Sequence, residues 1–268
     1  MNSEIKDFTD LKIYAAFHKE FATPSVEYIV PIQGGRSISS INLSIDIDND
    51  NENISDKNKT FCELTVLYNI WKNKKYLPAT YWGLCHYRRY FTLDIHWTRL
   101  KKKKFYYLPV ADNNTFPKIF SKRLFSFFSK NLSPTTVIVS RPNLAIPPNQ
   151  KEAIPVKDFY INYHDPNGWQ IMEEAIKQLH PIYLESFKIM GNQRELHACN
   201  MLIAHFSFWE GYLDWLFSII FFIEERYELP KDDYQNRALG FMAERLMNVY
   251  LIHHREIKKI ELPIAILQ

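Results

Sequence analysis

Short apolar runs alternate with longer amphipathic segments along the chain. The short runs have the length of buried strands, whereas the longer segments carry apolar residues at helical spacing. The runs that predict strands are 11–17, 28–32, 81–85, 136–140 and 196–204. The segments that predict long helices are 60–73, 118–130, 166–179, 207–227 and one that ends near 253. This alternation predicts an α/β protein with a mainly parallel or mixed sheet covered by helices on both sides.

Capping signals mark the starts of several helices. Thr60 with Glu63, and Ser207 with Glu210, have the spacing of a capping box, in which side chains satisfy free backbone N–H groups. Asp165-Pro166 suits an N-cap followed by the first helical position. The sequence therefore predicts helices that begin close to these residues.

Composition indicates a folded globular chain. Its 268 residues suffice for one large α/β domain or two small ones, and 46% hydrophobic residues support a substantial core. With only 7 glycines and no glycine-rich phosphate-loop motif, the dinucleotide-binding and P-loop classes are disfavoured. The net charge of +3 is too small to require a nucleic acid partner, and none is expected.

The cysteines and the apolar runs bear on location. Cys62, Cys85 and Cys199 are far apart and odd in number, so buried free thiols in a reducing compartment are expected. No cationic and then apolar signal segment opens the chain. The longest apolar run, 215–223, is shorter than the roughly 20 residues of a membrane-spanning helix. We expect a cytoplasmic protein without a transmembrane segment.

The most informative stretch is 81–91, Tyr-Trp-Gly-Leu-Cys-His-Tyr-Arg-Arg-Tyr-Phe. A predicted strand runs directly into His86, Arg88 and Arg89, and open α/β sheets bind ligands beyond the carboxyl ends of their strands. Arginine offers a rigid fork of donors that suits phosphate oxygens. The stretch therefore predicts a cationic clamp for a phosphorylated small molecule. The alternative is that the arginines form surface ion pairs and His86 is an interior histidine.

Alternating aspartates raise the question of a metal. Counted from Asp46, a calcium loop of the EF-hand type needs glycine at its sixth position and glutamate at its twelfth. Those positions hold Asn51 and Lys57, so that class is excluded. A divalent ion at Asp46 and Asp48, serving a nucleotide-sugar, stays possible beside the alternative of a solvated turn.

Four further positions are candidates. Glu63 contacts a ligand near the clamp or only closes its capping box. His197 and Asn200, inside an apolar strand, contact a substrate hydroxyl or a neighbouring loop. Glu244 shares a helix face with Gly240, where a missing side chain permits a close approach, so it suits a general base. Its alternative is an exposed ion pair with an arginine.

Taken in order, several motifs resemble a family of bacterial glycosyltransferases from capsule, exopolysaccharide and lipopolysaccharide gene clusters, long labelled a domain of unknown function. The stretch Gly-Leu-Cys-His-Tyr-Arg-Arg-Tyr-Phe at 83–91 is the most specific of them. The others are 13–19, 53–58, 62–65, 71–73, 200–203 and 240–246. Together they span nearly the whole chain.

The resemblance implies a GT-A-like, Rossmann-like mixed sheet flanked by helices, in one domain covering 1–268 with a basic insert at 92–131. It implies transfer of a sugar from a nucleotide donor, with a uridine diphosphate hexose expected and galactofuranose worth testing. The acceptor is expected to be a growing, often lipid-linked, cell-surface glycan. Basic and aromatic residues of the insert, with Lys101 to Lys104, suit the inner membrane face. The alternative there is a solvated lysine run beside a core helix.

The resemblance also suggests roles. Ala15, Phe17 and His18 border the nucleotide, and His86, Arg88 and Arg89 hold the diphosphate in place of a metal, so no cofactor is expected. Glu244 is the expected base, with Asp233 in reserve. Asn58 and Glu63 line the same pocket, and His197 and Asn200 serve the sugar or acceptor side. The rivals are a non-catalytic module that binds anionic glycans, and a nucleotidyl- or phosphotransferase with a metal at the two aspartates.

Overall fold

The structure is a computed structural model that describes residues 7–93, 104–108, 115–232 and 234–268. Its strands are β1 (Leu11–Phe17), β2 (Ile29–Gln33), β3 (Asp46–Ile47), β4 (Tyr81–His86), β5 (Arg89–Phe91), β6 (Phe105–Leu108), β7 (Thr136–Ser140), β8 (Asn143–Leu144), β9 (Glu195–Leu196), β10 (Leu202–His205), β11 (Lys258–Leu262) and β12 (Ile264–Leu267). Its α-helices are α1 (Asn58–Phe61), α2 (Leu64–Lys72), α3 (Thr115–Ile119), α4 (Lys122–Asn131), α5 (Val156–Tyr163), α6 (Pro166–Leu179), α7 (Leu184–Asn192), α8 (Phe206–Arg226) and α9 (Ala238–His253).

A mixed sheet organises the chain. Its central strands lie in the order β11-β7-β10-β4-β1-β2-β3, and β12 pairs with β5 and β6 beside the end of β4. β4, β1 and β2 run parallel, whereas β10 lies antiparallel between β4 and β7. Parallel strands end at one edge of a sheet, so the segments that follow β1, β2 and β4 meet there. The segment that precedes β10 reaches the same edge because β10 runs the other way.

Apolar side chains pack on both faces of this sheet. Helices α2 and α5 to α9 cover one face, where the Trp82 and Trp209 rings stack with centroids 4.1 Å apart. The indole Nε1 of Trp209 also donates to the Trp82 carbonyl at 2.7 Å, which fixes α8 on β4. Helix α4 covers the other face, where Phe128 packs near Tyr28. The predicted α/β fold, a mixed sheet flanked by helices, is confirmed.

The predicted helix 60–73 is two helices. Cys62 has a φ of 53°, which ends α1, and α2 starts at Leu64. The Thr60 hydroxyl donates to the Lys57 carbonyl at 3.1 Å, so the predicted capping box is wrong. The break leaves the Glu63 side chain free to point away from the helix end.

The predicted strand 196–204 is also interrupted, because Cys199 and Asn200 both adopt positive φ between β9 and β10. The helix predicted to begin at Ser207 begins one residue earlier, at Phe206. The His205 ring accepts a hydrogen bond from the backbone N–H of Ser207 at 3.2 Å. The structure adds β11 and β12, which the sequence pattern did not indicate. The Asp165-Pro166 start of α6 is confirmed by the Asp165 carboxylate, which caps Asn167 N–H at 3.1 Å.

Within the described residues, one helix, α8, has the length and mean hydropathy of a membrane-spanning segment. Of its apolar 18-residue window, 56% is buried in the protein, and its Trp215 packs 5.3 Å from the Tyr250 ring of α9. Core helices of globular proteins have the same length and composition, and these contacts match that role.

The described part of the basic insert joins the core. The Leu124 and Phe128 side chains of α4 are buried, whereas Lys122 and Arg123 are exposed. β6 extends the sheet by pairing with β12. For α4, the structure matches the alternative of an ordinary core helix. Residues 101–103 lie outside the described ranges, and the domain boundaries and membrane contact stay predictions.

Gly83 lies at the centre of β4, where a side chain has no room. An added Cβ would lie 2.6 Å from the Leu202 carbonyl oxygen and 2.7 Å from a side-chain carbon of Ile203. Since the oxygen belongs to the backbone of β10, Gly83→Ala should lower the free energy of unfolding by about 1–3 kcal/mol. Urea unfolding measures this change.

Gly211→Ala is the matched control. Gly211 is exposed on α8, and the near atom to its added Cβ is the hydroxyl at the far end of Tyr250. This change should leave the free energy of unfolding equal or raise it by up to about 1 kcal/mol, since alanine favours helix. Equal effects of the two substitutions would contradict the packing argument for Gly83.

Candidate active site

A cleft of about 750 Å³ lies at the carboxyl edge of β1, β2 and β4. The site residues predicted from the sequence that line it are Phe17, His18, Asn58, Glu63, His86, Arg88, Arg89 and Glu244. These residues belong to different elements. This edge is reached by the ends of β1 and β4, by helices α1 and α9, and by the break between α1 and α2. This is the edge at which open α/β sheets hold ligands.

Positive charge dominates the cleft wall. The fixed cations among its lining residues are Lys19, Lys59, Arg88, Arg89 and Arg237, and the acids are Glu63 and Glu244. Such an excess in a partly enclosed space focuses a positive potential on an anion. The wall therefore suits a ligand with more than one negative charge.

The two clamp arginines are available to a ligand. Arg88 lies in the two-residue connection between β4 and β5, and Arg89 is the first residue of β5, where it pairs with His86. The Arg88 guanidinium lies 5.2 Å from the Tyr87 ring centroid, and Tyr87 packs in turn against Phe17. Neither arginine forms an ion pair with any carboxylate in the described ranges. The alternative, in which the two arginines form surface ion pairs, is therefore not observed among the described residues.

His86 supplies a hydrogen bond rather than a charge. Its Nε2 lies 2.7 Å from the Cys199 carbonyl oxygen, a geometry in which Nε2 carries the proton. Burial lowers the pKa of His86, Glu63 opposes that change and Arg89 adds to it. Burial also lowers the pKa of His18, with Lys19 acting in the same direction. Positive charge at neutral pH thus comes from the arginines and lysines.

A left-handed turn at Cys199 and Asn200 holds three of the site residues. The Cys199 N–H donates to Glu244 Oε1 at 2.9 Å, and its carbonyl accepts from His86. The Asn200 amide donates to Glu63 Oε1 at 2.8 Å and to the Gly240 carbonyl at 3.3 Å. The φ values are 71° and 50°, a region that non-glycine residues rarely adopt. Backbone strain of this kind concentrates at functional sites.

A close approach between α1 and α9 narrows the cleft floor. An added Cβ on Gly240 would lie 3.2 Å from the Cys62 sulfur, so the glycine permits this contact. The Arg237 Nε lies 3.5 Å from the same sulfur. Burial raises the pKa of Cys62 to about 11, with Glu63 adding to the rise, so the thiol stays protonated and packs as an apolar group.

Glu244 has the environment of a general base. Its side chain is 21% exposed, and its Oε2 lies 3.1 Å from Nη1 of the buried Arg245. Burial raises the pKa of Glu244 above its usual range, and Glu63 adds to the rise. The charges of Arg245 and Arg89 and the Cys199 N–H oppose it. A carboxylate whose pKa moves towards neutrality accepts a proton more readily.

Residues 12–255 match the family described as Domain of unknown function (DUF4422). The chain belongs to this family. A search of curated proteins finds no match. Among solved structures, the chain is similar to the apo structure of WbbM, a bifunctional glycosyltransferase, with a TM-score of 0.84 and 24% identity. The likeness covers 97% of this chain and 45% of WbbM, so the chain spans less than half of that protein.

The likeness to WbbM is one of fold, and it confirms the GT-A-like α/β architecture predicted for this DUF4422 chain. The two chains share the sheet and its covering helices over nearly all of the present sequence. Roles for individual side chains rest on the geometry of the DUF4422 chain itself.

Two of the predicted residues lie away from the cleft. Ala15 is buried in the core on the opposite face of β1, and its neighbour Ala16 lines the cleft, because side chains alternate along a strand. His197 is buried with Nδ1 2.6 Å from the Ser140 carbonyl, and it lines a separate cleft of about 380 Å³. The assignments of Ala15 and His197 to the donor and acceptor pocket are therefore corrected.

The other two predicted site residues are Asn200 and Asp233. Asn200 does not line the cleft, and it acts behind it by holding Glu63. Asp233 lies outside the described residues, so its role as reserve base stays a prediction.

Asp48 is neither a solvated turn residue nor a free metal ligand. It is fully buried, and its carboxylate accepts from Gly35 N–H at 2.8 Å and Arg36 N–H at 3.0 Å. The hydroxyls of Ser55 and Thr65 donate to it at 2.5 and 2.6 Å. Four donors thus occupy both oxygens, which argues against a metal shared with Asp46. The described part of the chain contains no group of three or more metal-ligating side chains.

Sequence reasoning missed several residues of the cleft wall. Lys19, Lys59, Cys199 and Asn236 line it without having been singled out. Lys19 and Lys59 directly follow the predicted residues His18 and Asn58, so proximity in sequence offered a signal. Cys199 offered none, because a left-handed turn inside an apolar run leaves no trace in composition.

Asn200 should contribute through both its side chain and its backbone. Asn200→Ala removes the amide donors from Glu63 and Gly240 and keeps an unfavourable φ, so the free energy of unfolding should fall by about 1–3 kcal/mol. Asn200→Gly removes the same donors but relieves the strain, so the loss should be smaller by about 1 kcal/mol. Urea unfolding of both variants separates the two contributions.

Asn149 provides a control for the backbone term alone. It has a φ of 64° in an exposed turn, so Asn149→Gly should exceed Asn149→Ala in stability by a similar amount, about 1 kcal/mol. If Asn200→Gly and Asn200→Ala are equally destabilised while the Asn149 pair differs, the proposed strain at Asn200 is wrong.

Glu244 should make stability depend on pH with a defined sign. Its pKa is higher in the folded protein, so its stabilising contribution is full below about pH 4 and is lost as pH rises through the raised pKa. Glu244→Gln removes this titration. The free energy of unfolding of the variant, relative to the native chain, should therefore increase from about pH 4 towards neutral pH.

Glu256→Gln should show the opposite trend. Its own backbone N–H, and then His254, lower the pKa of the Glu256 carboxyl. The native chain should thus lose its advantage over this variant as pH falls through the lowered pKa. If the native chain and Glu244→Gln show the same pH dependence of the free energy of unfolding, the raised pKa of Glu244 is wrong. Urea unfolding across this pH range measures the native chain and both variants.

Proposed function

We propose that this chain is a glycosyltransferase that moves a sugar from a nucleotide-sugar donor to a glycan acceptor. The observation that carries the proposal is that one cleft is lined by a partly buried glutamate and by two arginines without an ion-pair partner in the described ranges. Arg88 and Arg89 stand at the carboxyl edge of the sheet, and Glu244, with its raised pKa, lines the same space. The fold shared with the bifunctional glycosyltransferase WbbM supports this class of reaction.

The clamp arginines are proposed to hold the donor diphosphate. Guanidinium groups form paired, charge-assisted hydrogen bonds to phosphate oxygens. Arginines fixed beside the departing diphosphate also stabilise the charge that develops there. The four donors already bound to Asp48 support a diphosphate site without a metal, which remains part of the proposal. Phe17, His18 and Asn58 would border the nucleotide.

Glu244 is proposed to activate the acceptor. As the acceptor hydroxyl oxygen attacks the anomeric carbon, its proton passes to Glu244. The bond from that carbon to the diphosphate oxygen breaks, and the nucleoside diphosphate leaves with the electron pair. Attack opposite the leaving group inverts the configuration. The Cys199 N–H and Arg245 orient the two carboxylate oxygens of this base.

The finer parts of the proposal concern substrates and location. We propose a uridine diphosphate hexose as donor, with galactofuranose as one such sugar, and a growing, lipid-linked cell-surface glycan as acceptor. We further propose a cytoplasmic protein that rests on the inner membrane face through its basic insert. The exposed Lys122 and Arg123 of α4 support such a surface.

Turnover tests the reaction. The chain is incubated with a panel of nucleotide-sugars and methyl hexopyranosides, with and without a chelator, and nucleoside diphosphate release is measured. We expect release from a uridine diphosphate hexose that the chelator does not abolish. Glu244→Gln should lower kcat by about 10²–10⁴-fold while donor binding persists. Arg88→Ala and Arg89→Ala should each weaken donor binding by about 10–100-fold.

Arg123→Ala on α4 is the control, since this exposed arginine lies outside the cleft. It should leave donor affinity unchanged. Binding without consumption of any nucleotide-sugar would favour the non-catalytic module. Activity that requires manganese would overturn the metal-free diphosphate site, and pyrophosphate release would point to a nucleotidyltransferase.

A further inference from the structure

A largely exposed tyrosine stands next to the cleft. Tyr234 is 56% exposed, and its hydroxyl has no hydrogen-bond partner in the described ranges. Its ring lies 5.2 Å from the Phe241 ring and is nearly parallel to the His164 ring, at 16° and 6.5 Å. Phe241 and His164 are themselves 4.5 Å apart. The three rings form an aromatic platform that is open to solvent on the Tyr234 side.

The platform is held in place by polar contacts beneath it. The Asp232 carboxylate accepts from the N–H groups of Tyr234 and Gln235, both at 2.9 Å. The Gln235 amide donates to the Tyr163 carbonyl at 3.0 Å, and its oxygen lies 3.2 Å from His164 Nδ1. Burial lowers the pKa of His164 to about 4, so the rings are uncharged at neutral pH. The backbone N–H of Tyr234 is therefore anchored by Asp232, and the adjoining Gln235 is anchored to Tyr163 and His164.

The platform adjoins the cleft through Arg237. The Arg237 guanidinium lies 5.5 Å from the Phe241 ring centroid, and Arg237 lines the cleft. Arg237, Phe241 and Glu244 follow the i, i+4, i+7 spacing that places side chains on one helix face, and Glu244 also lines the cleft. The platform therefore stands at the rim of the cleft and is joined to it by Arg237.

We propose that Tyr234 and Phe241 form the acceptor subsite and stack against a hexopyranose ring of the acceptor glycan. The proposal rests on the proposed function, because it places the acceptor hydroxyl beside Glu244. One face of a pyranose presents C–H groups, which suit an aromatic surface, and its hydroxyls stand at the rim. Tyrosine combines such a surface with a polar tip. Arg237 supplies rim donors to those hydroxyls.

The platform and the clamp belong to different elements, which supports separate subsites for acceptor and donor. The donor diphosphate belongs at Arg88 and Arg89, at the end of β4, whereas the platform belongs to the start of α9. Glu244 lies on the same helix face as Phe241 and binds the turn before β10. A ring stacked on Tyr234 is thus proposed to reach the base from α9, while the donor reaches it from β4.

Saturation-transfer NMR with methyl hexopyranosides, in the presence of uridine diphosphate, tests the platform without needing turnover. We expect saturation to pass from the protein to the ring protons of the sugar. The effect should be retained in Tyr234→Phe, which keeps the ring, and lost in Tyr234→Ala. Tyr107→Ala is the matched control, since Tyr107 is 61% exposed on β6 and its ring contacts Phe105, whereas the Tyr234 ring contacts Phe241 beside the cleft-lining Arg237.

Kinetics provide the second readout. If the native chain transfers sugar, Tyr234→Ala should lower kcat/KM for the methyl hexopyranoside by about tenfold, with donor affinity kept within about twofold. Equal unfolding midpoints of native chain and variants establish that the fold persists. Undiminished saturation transfer in Tyr234→Ala would overturn the proposal, as would no transfer to any methyl hexopyranoside in the native chain.

The two proposals fail in different ways. A native chain that consumes no nucleotide-sugar but transfers saturation to the sugar through Tyr234 would overturn glycosyl transfer and leave a sugar-binding platform. A native chain that turns over the donor with an unchanged acceptor KM in Tyr234→Ala would retain glycosyl transfer and overturn the platform.

Discussion

The left-handed turn at Cys199 and Asn200 is the constraint on which the cleft depends. β10 has to enter the sheet antiparallel between β4 and β7, and only Met201 separates this turn from its first residue, Leu202. Each non-glycine residue in this conformation costs about 1–2 kcal/mol. The turn offsets that cost with hydrogen bonds to Glu244, Glu63 and His86, of which those to carboxylates are the stronger kind. The two residues that lead into the strand therefore orient the polar groups of the site, Cys199 through its backbone and Asn200 through its side chain.

The charges follow from this arrangement. Glu63 and Glu244 are brought near each other by one turn, and the negative charge of Glu63 adds to the rise in the Glu244 pKa that burial causes. The buried Arg245 beside Glu244 limits the rise, since protonation of Glu244 would leave its guanidinium without a counter-charge. His86 is held neutral and donates to the turn. Among the cleft-lining groups, positive charge at neutral pH is thus carried by arginines and lysines, and Glu244 has its own partner in the buried Arg245.

The sequence predicted the sheet, its covering helices and the clamp because these depend on local patterns. The ends of parallel strands meet at one edge of a sheet, so the sequence alone places His86, Arg88 and Arg89 near His18. The failures are non-local. A continuous strand at 196–204 left no reason to separate His197 from Asn200, and the turn that separates them is set by the fold. Asp48 looked like a loop residue, although four donors from distant segments bury it. The sequence pattern indicated neither β11 nor β12. The charged residues of β11 conceal an edge strand.

Helix α9 shows how one element can serve both the core and the cleft. Leu239, Met242, Leu246 and Val249 are buried and pack it against the other helices. Gly240 lets the helix approach Cys62, which brings the adjoining face to the cleft floor. On that face Arg237, Phe241 and Glu244 carry a cation, an aromatic ring and a base at successive turns. Because packing of the apolar stripe fixes the helix rotation, the order of these three groups relative to the β4 clamp is fixed as well. Arg88, Arg89 and Glu244 line the same cleft, so a ligand bound there lies between the end of β4 and helix α9.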